Sequence, residues 1–171
     1  MSKALVAYYS RAGENYVSGQ IKTLKKGNTK LAAEVIAALL QADLFEIRQK
    51  APYSEKYNEC TDEALRDRKS GARPPLAVYP ESLQEYDTVF LGYPNYWGGV
   101  PMAVCTFLEK CSLAGKTVRP FCTHEGSGLG HSLADIRALC PDSDITEGIA
   151  IFGSNPLPEK DKIEKWAKET V

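Results

Sequence analysis

The chain has 171 residues, 43% of them hydrophobic and 25% charged, which suits one globular domain over residues 1–171. A formal net charge of −1 gives no long-range field to draw nucleic acid or an anionic membrane, and no apolar run is long enough to span a bilayer. The five cysteines (Cys60, Cys105, Cys111, Cys122, Cys140) include no C-x-x-C pair, which argues for buried free thiols in a reducing compartment rather than disulfides or zinc. Only Lys3 precedes the first apolar run, too short for a signal-peptide core, so the expected location is the cytoplasm.

Strand-like and helix-like runs alternate along the chain. Ala4 to Tyr9 is a continuous apolar run rich in strand formers, as for a strand buried on both faces. Leu31, Ala32, Val35, Ile36, Leu39 and Leu40 recur at helical spacing and predict a helix over 28–41. Asp43 to Arg48 alternates as a second strand nearer an edge. The polar stretch from Ala51 to Pro80 holds one short helix around 61–69. Asp87 to Gly92 is a third strand, followed by a helix over 101–110. Lys116 to Cys122 is a fourth strand despite Pro120, a residue that central strands avoid. Leu129 to Leu139 reads as a helix, Ile145 to Phe152 as a fifth strand, and Glu159 to Lys168 as an amphipathic helix. This rhythm predicts a doubly wound α/β fold, a parallel sheet between two helix layers. Ligands of such sheets bind beyond the carboxyl ends of the strands, at a topological switch point.

Three loops fall at those ends. After the first strand come Ser10-Arg11-Ala12-Gly13 and, beyond an insertion, Gly27-Asn28-Thr29-Lys30. Spliced together, these make a turn running into a helix start, where free N–H groups and the helix dipole favour an anion such as phosphate. No Walker A or G-x-G-x-x-G pattern is present. A plain Asn/Thr cap with a turn glycine is the alternative. After the third strand, Tyr93 to Pro101 carries three aromatics beside Gly98-Gly99, which suits a flat ligand; folding of Tyr96 and Trp97 onto the core is the alternative. After the fourth strand, Thr123-His124-Glu125-Gly126-Ser127-Gly128-Leu129-Gly130 could wrap a heteroaromatic edge or be a ligand-free flexible turn. His124 is a candidate proton donor or ring contact, whereas His131 reads as structural. A phosphate grip, an aromatic shelf and a glycine-rich rim at one sheet end suit flavin mononucleotide (FMN).

These segments, Tyr9 to Asn15, Gly27-Asn28-Thr29, Gly92 to Trp97 and Thr123 to Gly128, resemble the flavodoxin family of small bacterial FMN proteins over nearly the whole chain. The resemblance implies a three-layer flavodoxin-like fold with a five-stranded parallel sheet in the order 2-1-3-4-5 and non-covalently bound FMN. It implies that Ser10, Ala12, Asn15, Asn28 and Thr29 hold the phosphate, with Arg11 adding charge or only backbone. Pro94, Asn95, Tyr96 and Trp97 would flank the ring, and Thr123, His124, Gly126, Ser127 and Gly128 would complete its site. The chain departs from the pattern in the insertion from Glu14 to Lys26, whose Tyr16, Val17, Ile21 and Leu24 suggest a short amphipathic turn or helix.

Two functions remain open on this reading. One is electron transfer through FMN to a redox partner protein. The other is NAD(P)H-dependent FMN oxidoreduction of the quinone reductase type, with a small-molecule acceptor. The near-neutral charge speaks against a carrier steered from long range, yet no second nucleotide motif stands out. An FMN-free regulatory module is a third class; a phospho-receiver would need acidic residues where Ser10 and Tyr93-Pro94 stand. No nucleic-acid partner and no membrane insertion are expected.

Overall fold

The first apolar run forms β1 (Ala4–Tyr8), whose neighbours β4 (Asp43–Glu46) and β5 (Thr88–Pro94) both run parallel to it. In this computed structural model, which describes residues 2–154 and 158–169, β5 pairs in turn with β6 (Thr117–His124). The outermost position beyond β6 is shared by β7 (Asp144–Ile145) and β8 (Ile149–Phe152), again parallel. Counting β7 and β8 as one interrupted strand, the parallel sheet has the expected order 2-1-3-4-5.

The interruption has a cause in sequence. Pro120 offers no N–H to a neighbour, and it lies between the residues that pair with β7 (Thr117, Val118) and those that pair with β8 (Phe121 to His124). The facing chain detours through Gly148, at φ 73°, where a Cβ would stand 2.7 Å from the Pro120 carbonyl oxygen. The doubtful proline therefore sits inside a central strand, on the side where that strand's neighbour lets go.

Side chains alternate between two cores, as strand periodicity requires. Leu5 and Ala7 of β1, with Val89, Leu91 and Tyr93 of β5, pack toward α3 (Met102–Lys110) and α4 (Ser132–Leu139). Val6 and Tyr8, with Phe90 and Phe121, pack toward α1 (Asn28–Leu40) and α5 (Lys160–Lys168). Each fully buried Val, Ile or Phe contributes about 1.5–3 kcal/mol over its exposed state, so the two cores hold the sheet rigid. A further helix, α2 (Tyr57–Ser70), covers the longer polar stretch and ends at Gly71, φ 65°. All five cysteines are buried free thiols, as their count and spacing suggest. No helix among the described residues is long and apolar enough to cross a membrane.

The insertion after Gly13 differs from expectation. It is neither an amphipathic helix nor a single turn but an antiparallel hairpin, β2 (Gly13–Val17) and β3 (Gln20–Leu24). The connecting Ser18 and Gly19 both have positive φ, 52° and 80°. Two such residues make the turn whose twist matches a hairpin. Tyr16 and Ile21 are cross-strand partners rather than members of one helical stripe.

One buried cation ties the last helix to the sheet. Arg119 is 3% exposed. It donates through Nη1 to the Ala167 carbonyl at 3.0 Å and through Nη2 to the Trp166 carbonyl at 2.7 Å. Its guanidinium also lies against the Trp166 and Phe90 rings, 4.5 and 5.1 Å from their centres. This neutralises the carbonyl end of α5. Arg119→Ala is expected to cost about 3 kcal/mol, from the cavity and two orphaned carbonyls. Chemical denaturation measures that loss, and hydrogen exchange should rise first in α5.

Candidate functional site

The loop after β1 is drawn tight by one glycine. A Cβ on Gly27 would stand 2.1 Å from Ser10 Oγ and 2.6 Å from the Arg11 carbonyl oxygen. The hairpin therefore leaves and returns at one place, and Ser10-Arg11-Ala12-Gly13 lies directly against Gly27-Asn28-Thr29, as the splice of the two segments implies. Ser10 Oγ accepts the Lys30 N–H at 3.1 Å, which leaves the serine proton free to donate. The N–H groups of Asn28 and Thr29 open α1 with no acceptor among the described residues. The Thr29 hydroxyl is 2.8 Å from that of Thr123, tying the first loop to the third. Arg11 shapes the loop with Nε on the Glu14 carbonyl (3.0 Å) and Nη2 on that of Glu55 (2.8 Å). Asn15 spends its amide protons inward, on the carbonyls of Arg11 and Gly13 at 2.9 and 3.2 Å.

The other two loops are laced to each other. Asn95 donates through its backbone to the Thr123 carbonyl (2.8 Å) and through its side chain to the Gly128 carbonyl (2.9 Å). Its Oδ1 accepts the Gly98 N–H at 2.9 Å. The Gly98 carbonyl accepts from the His131 N–H at 2.8 Å, and Gly130 lies so close that a Cβ there would be 2.3 Å from that oxygen. Tyr96 and Gly99 exchange backbone hydrogen bonds around Trp97 and Gly98, whose φ angles are 53° and 84°. Trp97 is half exposed and donates Nε1–H to the Thr61 carbonyl of α2 at 2.9 Å. His124 Nδ1 accepts the Gly126 N–H at 2.9 Å, and its ring rests on Phe152, 4.6 Å between centres.

Two adjoining cavities, about 290 and 360 Å³, open between these loops and share Arg11, Asn15, Tyr57, Asn95, Tyr96 and Ser127. The first adds Asn28, Thr29, Pro94, Thr123 and His124; the second adds Trp97. Most of the residues expected at the site are therefore gathered in one place. Ser10 and Ala12 line a separate cavity of about 890 Å³ on the β4 side of the first loop, and Gly126 and Gly128 line none of the three.

The α2 wall, with Tyr57 and Cys60, escapes the sequence reading, whereas Tyr16 of the insertion and Glu125 of the third loop, both named in it, also line the site. Tyr16 stacks on Tyr57 at 6.2 Å, and Glu14 accepts the Tyr57 N–H at 2.7 Å, so hairpin and α2 close one side together. Glu125 accepts from the Ser18 N–H at the hairpin turn (3.4 Å) and from the Ser154 hydroxyl. Its other oxygen is buried without a partner among the described residues, as is the Tyr96 hydroxyl. Burial pushes the Tyr96 hydroxyl well above its ordinary range and raises Tyr57 and the Cys60 thiol, so all three stay protonated at neutral pH. Such an arrangement offers amide donors and a cation to an anion, apolar tyrosine faces to a flat ring, and a carboxylate acceptor to hydroxyl groups.

The family model described as flavodoxin matches residues 3–170. The chain belongs to the flavodoxin family. A candidate flavoprotein of Bacteroides eggerthii is 31% identical with a TM-score of 0.75, the match covering 97% of this chain and 96% of that one. A candidate flavoprotein of Bacteroides uniformis is 26% identical at the same TM-score, covering 98% and 99%. A flavoprotein of Lactobacillus acidophilus, solved in complex with FMN, shares the fold at 20% identity and TM-score 0.69, covering 95% and 98%. No curated protein sequence matches the chain.

Within this flavodoxin-family site His124 gives a pH signature. Burial holds its pKa below the ordinary value, against the opposing pull of Glu159 and Glu125, and its Nδ1 serves as an acceptor. As pH falls below about 6.5, the unfolded chain takes up a proton that the folded histidine resists, so stability is lost on the acid side. Denaturant midpoints measured downward from neutral pH should fall, and His124→Asn should flatten that part of the curve.

Proposed function

We propose that this flavodoxin-family chain is an FMN-binding redox protein of the cytoplasm, acting as one domain over residues 1–171 and transferring electrons to a partner. The observation that carries the reading is the pair of unpartnered amides at Asn28 and Thr29 beside the Ser10 hydroxyl, next to a tyrosine-lined cavity. The donor set suits the group. Those amides, the Ser10 hydroxyl and the Arg11 charge would hold the phosphate. Asn15 and Thr29, whose side chains are engaged within the protein, would keep the loop in shape. The Glu125 oxygen without a partner among the described residues is a carboxylate acceptor, so it suits a hydroxyl-bearing chain and not a phosphate. Tyr96, Tyr57 and Trp97 would flank the ring, with Pro94, Asn95, Thr123, His124 and Ser127 closing the remaining walls. Free thiols buried in the core persist in a reducing compartment.

FMN supplies one- and two-electron redox chemistry when bound, and the chain supplies binding, orientation and access. The tie of Trp97 to Thr61 holds the second loop against α2, and the Asn95 bonds keep the second and third loops at a fixed spacing. A second reading, NAD(P)H-dependent reduction of a quinone-type acceptor, draws on the near-neutral charge of the chain, which gives weak long-range steering toward a protein partner.

Purified protein is expected to be yellow or to quench FMN fluorescence on mixing. Ser10→Ala removes one hydrogen bond to a charged group, worth about 1.5–3 kcal/mol, so the FMN dissociation constant should rise about tenfold or more. Riboflavin, which lacks the phosphate, should bind the variant as it binds the parent; an equal loss for both ligands would overturn the phosphate assignment. Anaerobic titration separates the two readings. Reduction by dithionite but not by NADPH is expected for the electron-transfer protein, and direct bleaching by NADPH for the oxidoreductase.

A further inference from the structure

The hairpin and its flanks carry a charge imbalance of which the site draws on Arg11 alone. From Arg11 to Lys30 there are five cations (Arg11, Lys22, Lys25, Lys26, Lys30) and one anion, Glu14, a local charge of +4 in a chain of net −1. Everything outside that segment is therefore net −5. Lys22, Lys25 and Lys26 are exposed. Lys26 pairs with Glu34 at 2.6 Å, whereas Lys22 and Lys25 join no ion pair among the described residues.

Lys22 stands directly opposite a residue of the cavity wall. Asn15 and Tyr16 line that cavity, and their cross-strand partners are Lys22 and Ile21. Tyr16 and Ile21 are 45% and 47% exposed, so a directly paired apolar couple lies next to Lys22 in the hairpin. Apolar contacts inside a charged rim are the anatomy of a transient protein interface. Lysine on an exposed strand edge also blocks unwanted strand pairing, but that role covers only Lys22, because β3 ends at Leu24 before Lys25 and Lys26.

We propose that the β2–β3 hairpin is a docking face for an acidic protein surface, one that exchanges electrons with the site beside it. The proposal rests on the electron-transfer reading above for the exchange, though not for the docking. Complementary charge raises the encounter rate and sets orientation, and its effect weakens as salt shortens the screening length.

Two measurements test this. In the first, 15N-labelled protein is titrated with a polyglutamate peptide, with or without FMN. Amide shifts are expected in residues 15–26 and are expected to vanish in the Lys22→Glu/Lys25→Glu double variant, with the rest of the spectrum unchanged. In the second, FMN-loaded protein reduced with dithionite is mixed with ferricyanide, a trianion, or with the trication cobalt(III) tris-phenanthroline. Each oxidant takes one electron, so two are consumed per fully reduced flavin. The ferricyanide rate should fall as ionic strength rises from about 0.01 M to about 0.15 M. The double variant should slow it about tenfold at low salt and reverse the sign of the salt dependence, while cobalt(III) tris-phenanthroline should show the opposite pattern. Peptide shifts centred elsewhere, or a flat or inverted ferricyanide slope in the parent, would overturn the proposal. So would a salt-sensitive dimer in sedimentation that the double variant abolishes, or binding to phosphatidylglycerol vesicles in place of the peptide. A protein that takes no FMN yet gives the expected peptide shifts would remove the functional reading and leave the docking face standing.

Discussion

The site depends on a contact with no room in it. Gly27 meets the backbone of Arg11 and the side chain of Ser10 so closely that a single methyl group would collide with both. The turn after β1 and the first turn of α1 are thereby pressed into one surface, with the open amides of Asn28 and Thr29 beside the free proton of Ser10. The contact is held from both sides. Tyr9 donates to the Gly92 carbonyl and fixes the end of β1 on β5, while the Thr29–Thr123 pair fixes the start of α1 on β6. Three separate strands thus determine the position of one loop.

The remaining walls follow from side chains that serve as struts. Asn95 bonds to three backbone groups in the second and third loops, one through its own backbone and two through its amide side chain, so their spacing is set by one residue. Trp97 reaches across to α2, and Glu14 holds the first N–H of that helix. Glu125 joins the hairpin turn to Ser154 while keeping one oxygen unpaired among the described residues. A buried carboxylate oxygen without a donor is costly, and a polyol hydroxyl arriving beside it would remove that cost.

The parallel strands could be read from sequence because β1 and β5 are apolar runs and β4 alternates, and their loops could be read because glycine, serine and asparagine cluster just beyond those runs. The meeting of Ser10 and Arg11 with Gly27 across the insertion was visible as a splice of two half-motifs. The insertion's own structure was not. Tyr16, Val17, Ile21 and Leu24 sit at spacings that a helix also tolerates, and the deciding signal was the Ser18-Gly19 dipeptide, which favours a tight turn. The wall made by Tyr57 and Cys60 left no motif at all. Helix α2 is polar along most of its length, so its position comes from tertiary contacts with the hairpin and with Trp97 rather than from its own periodicity. Pro120 was a misleading cue, since a missing N–H is harmless where the adjoining strand is broken.

That broken strand also bears on how the molecule behaves in a crowded solution. An outer sheet margin with a long unbroken row of amides and carbonyls is a template on which a foreign chain can build. Here the margin beyond β6 is split into pieces of two and four residues, with a glycine detour between them. An incoming peptide could zip along only one short piece before losing its register, so the proline that weakens the sheet's last strand also guards the protein against fibrous self-assembly.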